Sequence, residues 1–353
     1  MDIGLLPYLK VENVFKWHGR CDAEDGTKGL RWHQRVQYEK AHNRTLKSES
    51  DILKRIFLIG LESDVGVENN KGRLGAANGP DAIRDALANL PWLWPDTALI
   101  DMGNCGLVIN GDKDSNCPDT RLDYLQTRYA NVVCDALMTD KNTTSNFVIG
   151  LGGGHEIAWG SYQGLFNAIS NSKRIGIINF DAHFDLRKPA PYYSSGTPFR
   201  QVFDHCQQHH LPFSYACIGV SKAANTAALF EFANHSKTRY LLDRNCNDQS
   251  IKSLLTPMLE NIDELYVTVC LDAFPAAFAP GVSAPSALGI APELAINTLH
   301  FLAQQQSMLN YDWRLCDIAE MNPTFDIDSR TAKFAARLIF EVVDAIIQPT
   351  SGL

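Results

Sequence analysis

The stretch Arg174-Ile175-Gly176-Ile177-Ile178-Asn179-Phe180-Asp181-Ala182-His183-Phe184-Asp185-Leu186-Arg187 decides the fold. Its first half is a near-continuous apolar run of strand length, which suits a β-strand covered on both faces, as in a parallel sheet with helices on each side. Its second half places Asp181, His183 and Asp185 two apart. If the strand continues through them, the three side chains share one face and converge just past its end. In open parallel sheets that is where ligands bind. Clustered carboxylates are costly without a cation, and mixed oxygen and nitrogen donors suit Mn²⁺ or a similar divalent ion. An Asp-x-His-x-Asp run can also belong to a solvated loop, but the apolar segment before it argues against that.

Working outward, runs of the same character recur at Arg55 to Leu61, Thr97 to Met102, Asn146 to Leu151, Tyr215 to Val220, Arg239 to Leu242, Leu265 to Asp272 and Leu315 to Ile318, giving about eight strands. Helical spacing marks Pro80 to Leu90, Thr120 to Thr139 and Thr331 to Ile347. Gly19 to Lys28 and Gly111 to Asp119 read as surface loops too short for domain linkers. The expectation is one α/β domain. The chain has 353 residues, 45% of them hydrophobic, and a net charge of -8 from 40 acidic and 32 basic residues mixed along its length. No basic stripe suggests nucleic acid, so a small molecule is the expected ligand. Met1 to Lys10 lacks a secretory pattern, and no stretch approaches the roughly 20 apolar residues of a membrane span. A cytoplasmic protein is expected. Nine cysteines without a C-x-x-C argue against a thiolate zinc site and a disulfide framework.

Three further strand ends carry polar residues. Gly152-Gly153-Gly154-His155-Glu156 follows a strand and leads into a helix expected to begin at His155. A dinucleotide loop is disfavoured, because His155 stands where the fingerprint Gly150-x-Gly152-x-x needs its third glycine, and no Lys-Ser/Thr follows for a P-loop. His155 is read equally as a ligand or as a packed or capping histidine. Asp272 ends the run Val267-Thr268-Val269-Cys270-Leu271-Asp272 and reaches the same rim, or else caps a turn. Glu320, in Asp317-Ile318-Ala319-Glu320-Met321-Asn322-Pro323, follows the last strand and could grip a cationic group or move a proton, although solvated loop glutamates are far commoner.

At these residues the chain resembles the ureohydrolase family of arginases, agmatinases and formiminoglutamases, whose metal motifs occur in the same order. Asn70-Lys71-Gly72-Arg73-Leu74-Gly75-Ala76-Ala77-Asn78-Gly79-Pro80 is similar to the family's glycine-rich loop. Three segments resemble its formiminoglutamase branch: Trp17-His18-Gly19-Arg20 with Arg31-Trp32-His33-Gln34 in the N-terminal extension, Ser195-Gly196-Thr197-Pro198-Phe199 in the substrate loop, and Ala279 to Pro285. The resemblance covers nearly the whole chain and implies a three-layer αβα sandwich around a mainly parallel sheet, with residues 1–50 as an extension packed on a single domain over 51–353. It carries over His155, Asp181, His183, Asp185 and Asp272 as ligands of a binuclear manganese cluster, two Mn²⁺ per subunit.

One departure is plain. The family's third motif is Asp-x-Asp, its first aspartate bridging the metals, and here Cys270 stands at that position. Mn²⁺ gains little from a thiol, so one metal site is expected to be weakened or differently metallated. Phe199 stands where arginases place a proton-transferring histidine. The implied reaction is hydrolysis of N-formimino-L-glutamate to L-glutamate and formamide by a metal-activated hydroxide, with Glu320 holding the amidinium and Asp185 moving the proton. Arg73, Arg187 and Arg200, with Ser195 and Thr197 of the substrate loop, are the candidates for reading the substrate. The rivals are a guanidino hydrolase and a non-catalytic binding protein with a defective metal site. No nucleic-acid or membrane partner is implied, and homo-oligomers are the family's habit.

Overall fold

The computed structural model describes residues 15–38, 52, 54–106, 118–139, 145–170 and 172–347. In chain order its main elements are α1 (Trp32–Arg35), β1 (Val36–Tyr38), β2 (Lys54–Glu62), α2 (Val65–Asn69), α3 (Gly79–Ala88), β3 (Thr97–Gly106), α4 (Pro118–Met138), β4 (Ser145–Gly152), α5 (Ile157–Ala168), β5 (Ile175–Phe180), α6 (Pro198–Gln208), β6 (Ser214–Val220), α7 (Ala227–His235), β7 (Arg239–Leu242), α8 (Asp248–Leu259), β8 (Glu264–Cys270), α9 (Pro292–Leu309), β9 (Asp312–Ala319) and α10 (Arg330–Ile347). The strands form one sheet in the order β1-β3-β2-β4-β9-β8-β5-β6-β7, and every pairing is parallel.

Strand apolarity on both faces becomes two cores. Ile56 and Leu58 of β2, Ile178 and Phe180 of β5 and Val267 and Val269 of β8 point to one side, where they meet Ile83 and Leu87 of α3, Leu255 of α8, Leu299 of α9 and Val342 of α10. Their neighbours Phe57, Ile59, Ile177 and Tyr266 point to the other side, against Tyr129 of α4, Leu165 of α5, Val202 of α6 and Leu229 of α7. Alternation along each strand thus builds a helix layer on each face, the three-layer αβα sandwich expected from the sequence. At one edge, fully buried Arg84 of α3 clamps Asp101 of β3 through bonds of 2.8 and 3.0 Å. Among the described residues, no helix is long and apolar enough to cross a membrane.

The structure differs from the sequence expectation in local ways. A ninth strand, β1, lies inside the N-terminal segment and pairs with β3 through three residues of intermediate burial, too few to leave an apolar signature. Gly19 to Lys28 contains a 3-10 segment, Ala23–Gly29. Positions 107–117, most of the loop predicted over Gly111 to Asp119, lie outside the described residues, and α4 already begins at Pro118. Helix α5 starts at Ile157, not His155, and β5 ends at Phe180, so Asp181, His183 and Asp185 lie in a loop rather than on a continuing pleat.

The order β4-β9-β8-β5 matters most. The four motifs follow these four adjacent central strands, so parallel pairing alone brings all of them to one rim.

Candidate metal centre

Glycines let the first motif approach. A Cβ at Gly153 would stand 1.8 Å from the Ser63 carbonyl oxygen, so only glycine fits between β4 and the loop after β2. His155 then projects with Nδ1 2.9 Å from Asp181 Oδ2 and 2.8 Å from Asp185 Oδ2. Its other nitrogen, Nε2, lies 3.0 Å from the hydroxyl of Thr268 on β8. With a cation in place of the Nδ1 proton, donation from Nε2 to Thr268 would leave the Nδ1 lone pair facing the carboxylates, the orientation a metal-binding histidine needs.

The loop after β5 is shaped by tertiary bonds. Backbone amides of Ser221 and Phe184 bond Ala182 O and Asn225 Oδ1 at 2.9 and 3.1 Å, and the Asp185 carbonyl accepts from Phe199 N at 3.2 Å. Asp185 adopts a left-handed φ of 49°. Asp181 Oδ2 accepts from Asn179 Nδ2 at 3.1 Å, and Oδ1 accepts from His183 N at 2.7 Å. His183 Nδ1 stands 3.2 Å from Asp272 Oδ2 and 3.4 Å from Asp181 Oδ1.

Two donor groups result. His155, Asp181 and Cys270 form one and Asp181, His183 and Asp272 the other, the donor atoms of each lying within 4.8 Å of one another. Asp181 belongs to both. Asp272 Oδ1 and Glu320 Oε2 are buried without a hydrogen-bond partner, a costly arrangement unless a cation compensates. Donor chemistry, spacing and unpaired buried oxygens together fit a pair of divalent ions sharing Asp181.

The protonation pattern expresses the same crowding. Burial opposes charge on Asp181, but hydrogen bonds from His155 and His183 outweigh it and hold the carboxyl well below its usual range. The Asp272 charge pushes His183 up to about 12. Burial and then the Asp181 charge push Asp185 up to about 6, while burial, Asp272 and Glu156 push Glu320 up to about 8. Glu320 also sits at a left-handed φ of 68°, its backbone amide bonded to Gly153 O at 2.8 Å and its Oε1 accepting from His155 N at 3.0 Å.

These groups open into a cavity of about 310 Å³ lined by His155, His183, Asp185, Cys270, Asp272 and Glu320, by buried Ser195, and by Asn70, Lys71, Arg73 and Arg187, which are exposed to solvent. Phe199 lies behind His155 rather than in the cavity lining: it is fully buried, 5.7 Å edge-to-face from that ring and stacked on Tyr215 at 4.3 Å, with no proton to give.

The arginase family profile matches residues 54–344, a span that contains every one of these site residues. The chain belongs to the arginase family. Within the family it is similar to the formimidoylglutamase of Vibrio parahaemolyticus, 41% identical over 352 residues and 95% of each chain. It is equally similar to that of Ralstonia nicotianae, 41% identical over 337 residues, 94% of this chain and 95% of the relative. Among solved arginase-family folds it superposes on Trypanosoma cruzi formiminoglutamase with Mn²⁺ at a TM-score of 0.70 and 21% identity, covering 87% of this chain and 97% of that one. The Bacillus subtilis formimidoylglutamase gives 0.69 and 19%, covering 87% and 91%.

Of the residues anticipated for this site, His155, Asp181, His183, Asp185, Asp272, Cys270 and Glu320 converge, and exposed Arg187 and buried Ser195 line the same cavity. Others are committed elsewhere. Arg73 lines the mouth but donates to Ser283 O at 2.8 Å and Val282 O at 2.5 Å and covers the Phe325 ring, so it staples two loops together. Thr197 is buried, its hydroxyl donating to Ser194 O and accepting from Ser194 N, which shapes the turn before α6. Arg200 pairs with Asp204 and lies over Phe232, and it does not line the cavity. Sequence reasoning passed over Lys71, which lines the mouth at a φ of 60°, and Thr268. Thr268 was findable: it sits two residues before Cys270, on the same face of β8.

Proposed function

We propose that this chain is a formimidoylglutamase, hydrolysing the formimino C–N bond of N-formimino-L-glutamate to give L-glutamate and formamide. The carrying observation is the pair of donor groups sharing Asp181 at the head of an arginase fold, in a chain 41% identical to formimidoylglutamases over 95% of both lengths. His155, Asp181 and Asp185 would hold one ion, with Cys270 beside it, and Asp181, His183 and Asp272 the other, Mn²⁺ being the expected metal. Bound there, the metals supply the Lewis acidity that lets water attack at neutral pH.

The chain's own residues supply the rest. Glu320, its Oε2 unpaired at the cavity, accepts hydrogen bonds from the amidinium and fixes the formimino carbon. Asp185 borders the same space and carries a proton from water to the departing amine nitrogen. Lys71 and Arg187 at the mouth meet the substrate's two carboxylates, with Ser195 beside them. Phe199 behind His155 supports this reading over arginase chemistry, since no imidazole stands at that position to shuttle protons. The division into an N-terminal extension over 1–50 and a domain over 51–353 belongs to the same proposal; its support comes from the described residues 15–38, where β1 pairs with β3 and Trp32 enters the core. A cytoplasmic setting accords with Cys105, Cys206, Cys217 and Cys316, which are buried and outside any disulfide.

The deciding experiment is formamide release from formiminoglutamate by chain loaded with Mn²⁺ under reducing conditions, with metal counted in the same sample. Uptake of about two Mn²⁺ per chain with turnover is the expected result. Preferential turnover of agmatine or arginine would replace the substrate, and metal uptake without any turnover would replace catalysis with binding.

A further inference from the structure

Cys270 closes β8 and is 1% exposed. Its place is fixed from both sides, because Val269 pairs with Phe180 on β5 and Cys270 itself with Ala319 on β9. The thiol therefore faces the centre by strand geometry, within 4.8 Å of donor atoms of both His155 and Asp181. The cavity it lines also holds Asp272 Oδ1 and Glu320 Oε2, both nine-tenths buried or more and without hydrogen-bond partners, so a positive ion is called for at this point independently of the cysteine.

We propose that Cys270 is a sulfur ligand, making one half of the centre a nitrogen-oxygen-sulfur site whose preference for Zn²⁺ or Co²⁺ over Mn²⁺ is stronger than that of the nitrogen-oxygen half built by His183 and Asp272. This rests on the two-metal reading above. Thiolate sulfur favours thiophilic ions, whereas Mn²⁺ favours oxygen, so a single sulfur in one of two linked sites separates their selectivities. A coordinating thiol gives up its proton outright. That proton passes to solvent as the metal–sulfur bond forms, and no oxidation state changes. The second consequence is a graded exchange: as Zn²⁺ is titrated into the Mn²⁺-loaded chain, the half that contains Cys270 takes it up first.

X-ray absorption at the zinc edge of the full chain, loaded under reducing conditions, tests the assignment without reference to activity. The expected spectrum contains a sulfur shell at about 2.3 Å, beside the shorter shell of nitrogen and oxygen donors. Cys270→Ser loses that shell, and Cys270→Asp loses it while removing the early zinc-exchange step from a Zn²⁺ titration of the Mn²⁺-loaded chain. The Co²⁺-loaded chain should show a sulfur-to-cobalt charge-transfer band that both variants lack. Two zinc ions bound with no sulfur shell in the unmodified chain overturns the ligand and leaves the two-metal centre standing. A sulfur shell that survives Cys270→Ser assigns the sulfur to another cysteine and equally overturns it, and failure to bind any divalent ion removes the centre and this ligand together. The spectrum of the unmodified chain decides the matter even if a variant fails to fold.

Discussion

Replacing Thr268 by valine removes one buried hydroxyl and little volume, and the structure sets what should follow. Thr268 Oγ1 receives His155 Nε2 at 3.0 Å, both residues being almost wholly buried. The same hydroxyl neighbours Asp317, whose carboxyl is raised by burial and partly stabilised by hydrogen bonds from Ser161, Thr268 and Tyr266. Without the hydroxyl, the imidazole N–H loses its acceptor and the tautomer with its lone pair on Nδ1 is no longer selected. Loss of such a partner behind a metal-binding histidine costs about 10- to 100-fold in metal affinity. The unpaired N–H costs the metal-free protein about 1–3 kcal/mol. At a Mn²⁺ concentration about 100 times the unmodified Kd, metal-linked stabilisation is about 2.7 kcal/mol, and it falls to about 1.4 for a tenfold and about 0.4 for a hundredfold weakening. Urea unfolding with and without Mn²⁺, together with direct Mn²⁺ titration, measures both quantities, and Thr268→Ser should recover most of the loss. A valine variant that binds Mn²⁺ within about twofold of the unmodified chain would refute the argument.

Arg84→Ala leaves Asp101 buried and uncompensated between β3 and α3, and urea unfolding should show a loss of about 3–5 kcal/mol, which Arg84→Lys only partly recovers. Lys71→Ala and Arg187→Ala should each raise KM for formiminoglutamate roughly 10- to 150-fold with a smaller change in kcat, as loss of a charge-assisted hydrogen bond predicts, whereas Arg200→Ala, already paired with Asp204, should leave KM nearly unchanged. The hydrogen bond to Glu341 raises the pKa of His300, so the stability it contributes is fully present below the unfolded value of about 6.5 and is lost as pH rises through the higher folded value. The pair is partly exposed and worth about 1 kcal/mol or less, and chemical denaturation across that range should show a slope in the unmodified chain that His300→Gln abolishes.

Where residues were legible in the sequence, a one-dimensional signal coincided with a topological rule. Four apolar runs each ended in a ligand type, and parallel pairing of adjacent strands needed nothing more to gather them. The pleat argument for Asp181, His183 and Asp185 reached their convergence by a route the chain does not take: β5 stops at Phe180, and the loop is set by Ser221 and Asn225, forty residues away in a segment with no local pattern. Long cations were the least legible. Arg73, Arg187 and Arg200 look alike in sequence, and their roles divide according to whether a carbonyl, a cavity or an aspartate happens to lie within reach. Such contacts are set by tertiary packing, which periodicity does not encode.

The backbone shows how the rim is held. Eight described residues other than glycine adopt a left-handed φ, and three of them, Lys71, Asp185 and Glu320, line the cavity. Each such conformation costs about 1–3 kcal/mol and persists only where its surroundings fix it. Around Asp185 and Glu320 they do: the Asp185 carbonyl is tied to Phe199 N, and the Glu320 amide is tied to Gly153 O. A regular strand end would send consecutive side chains to opposite faces of the sheet. Turning the backbone sharply at these two positions instead delivers a carboxylate into the cavity from each side, one beside His155 and one across from Asp272. Strain is therefore concentrated where proton transfer and amidinium binding are proposed, and the two cores on either side of the sheet, regular and apolar, supply the rigidity that sustains it.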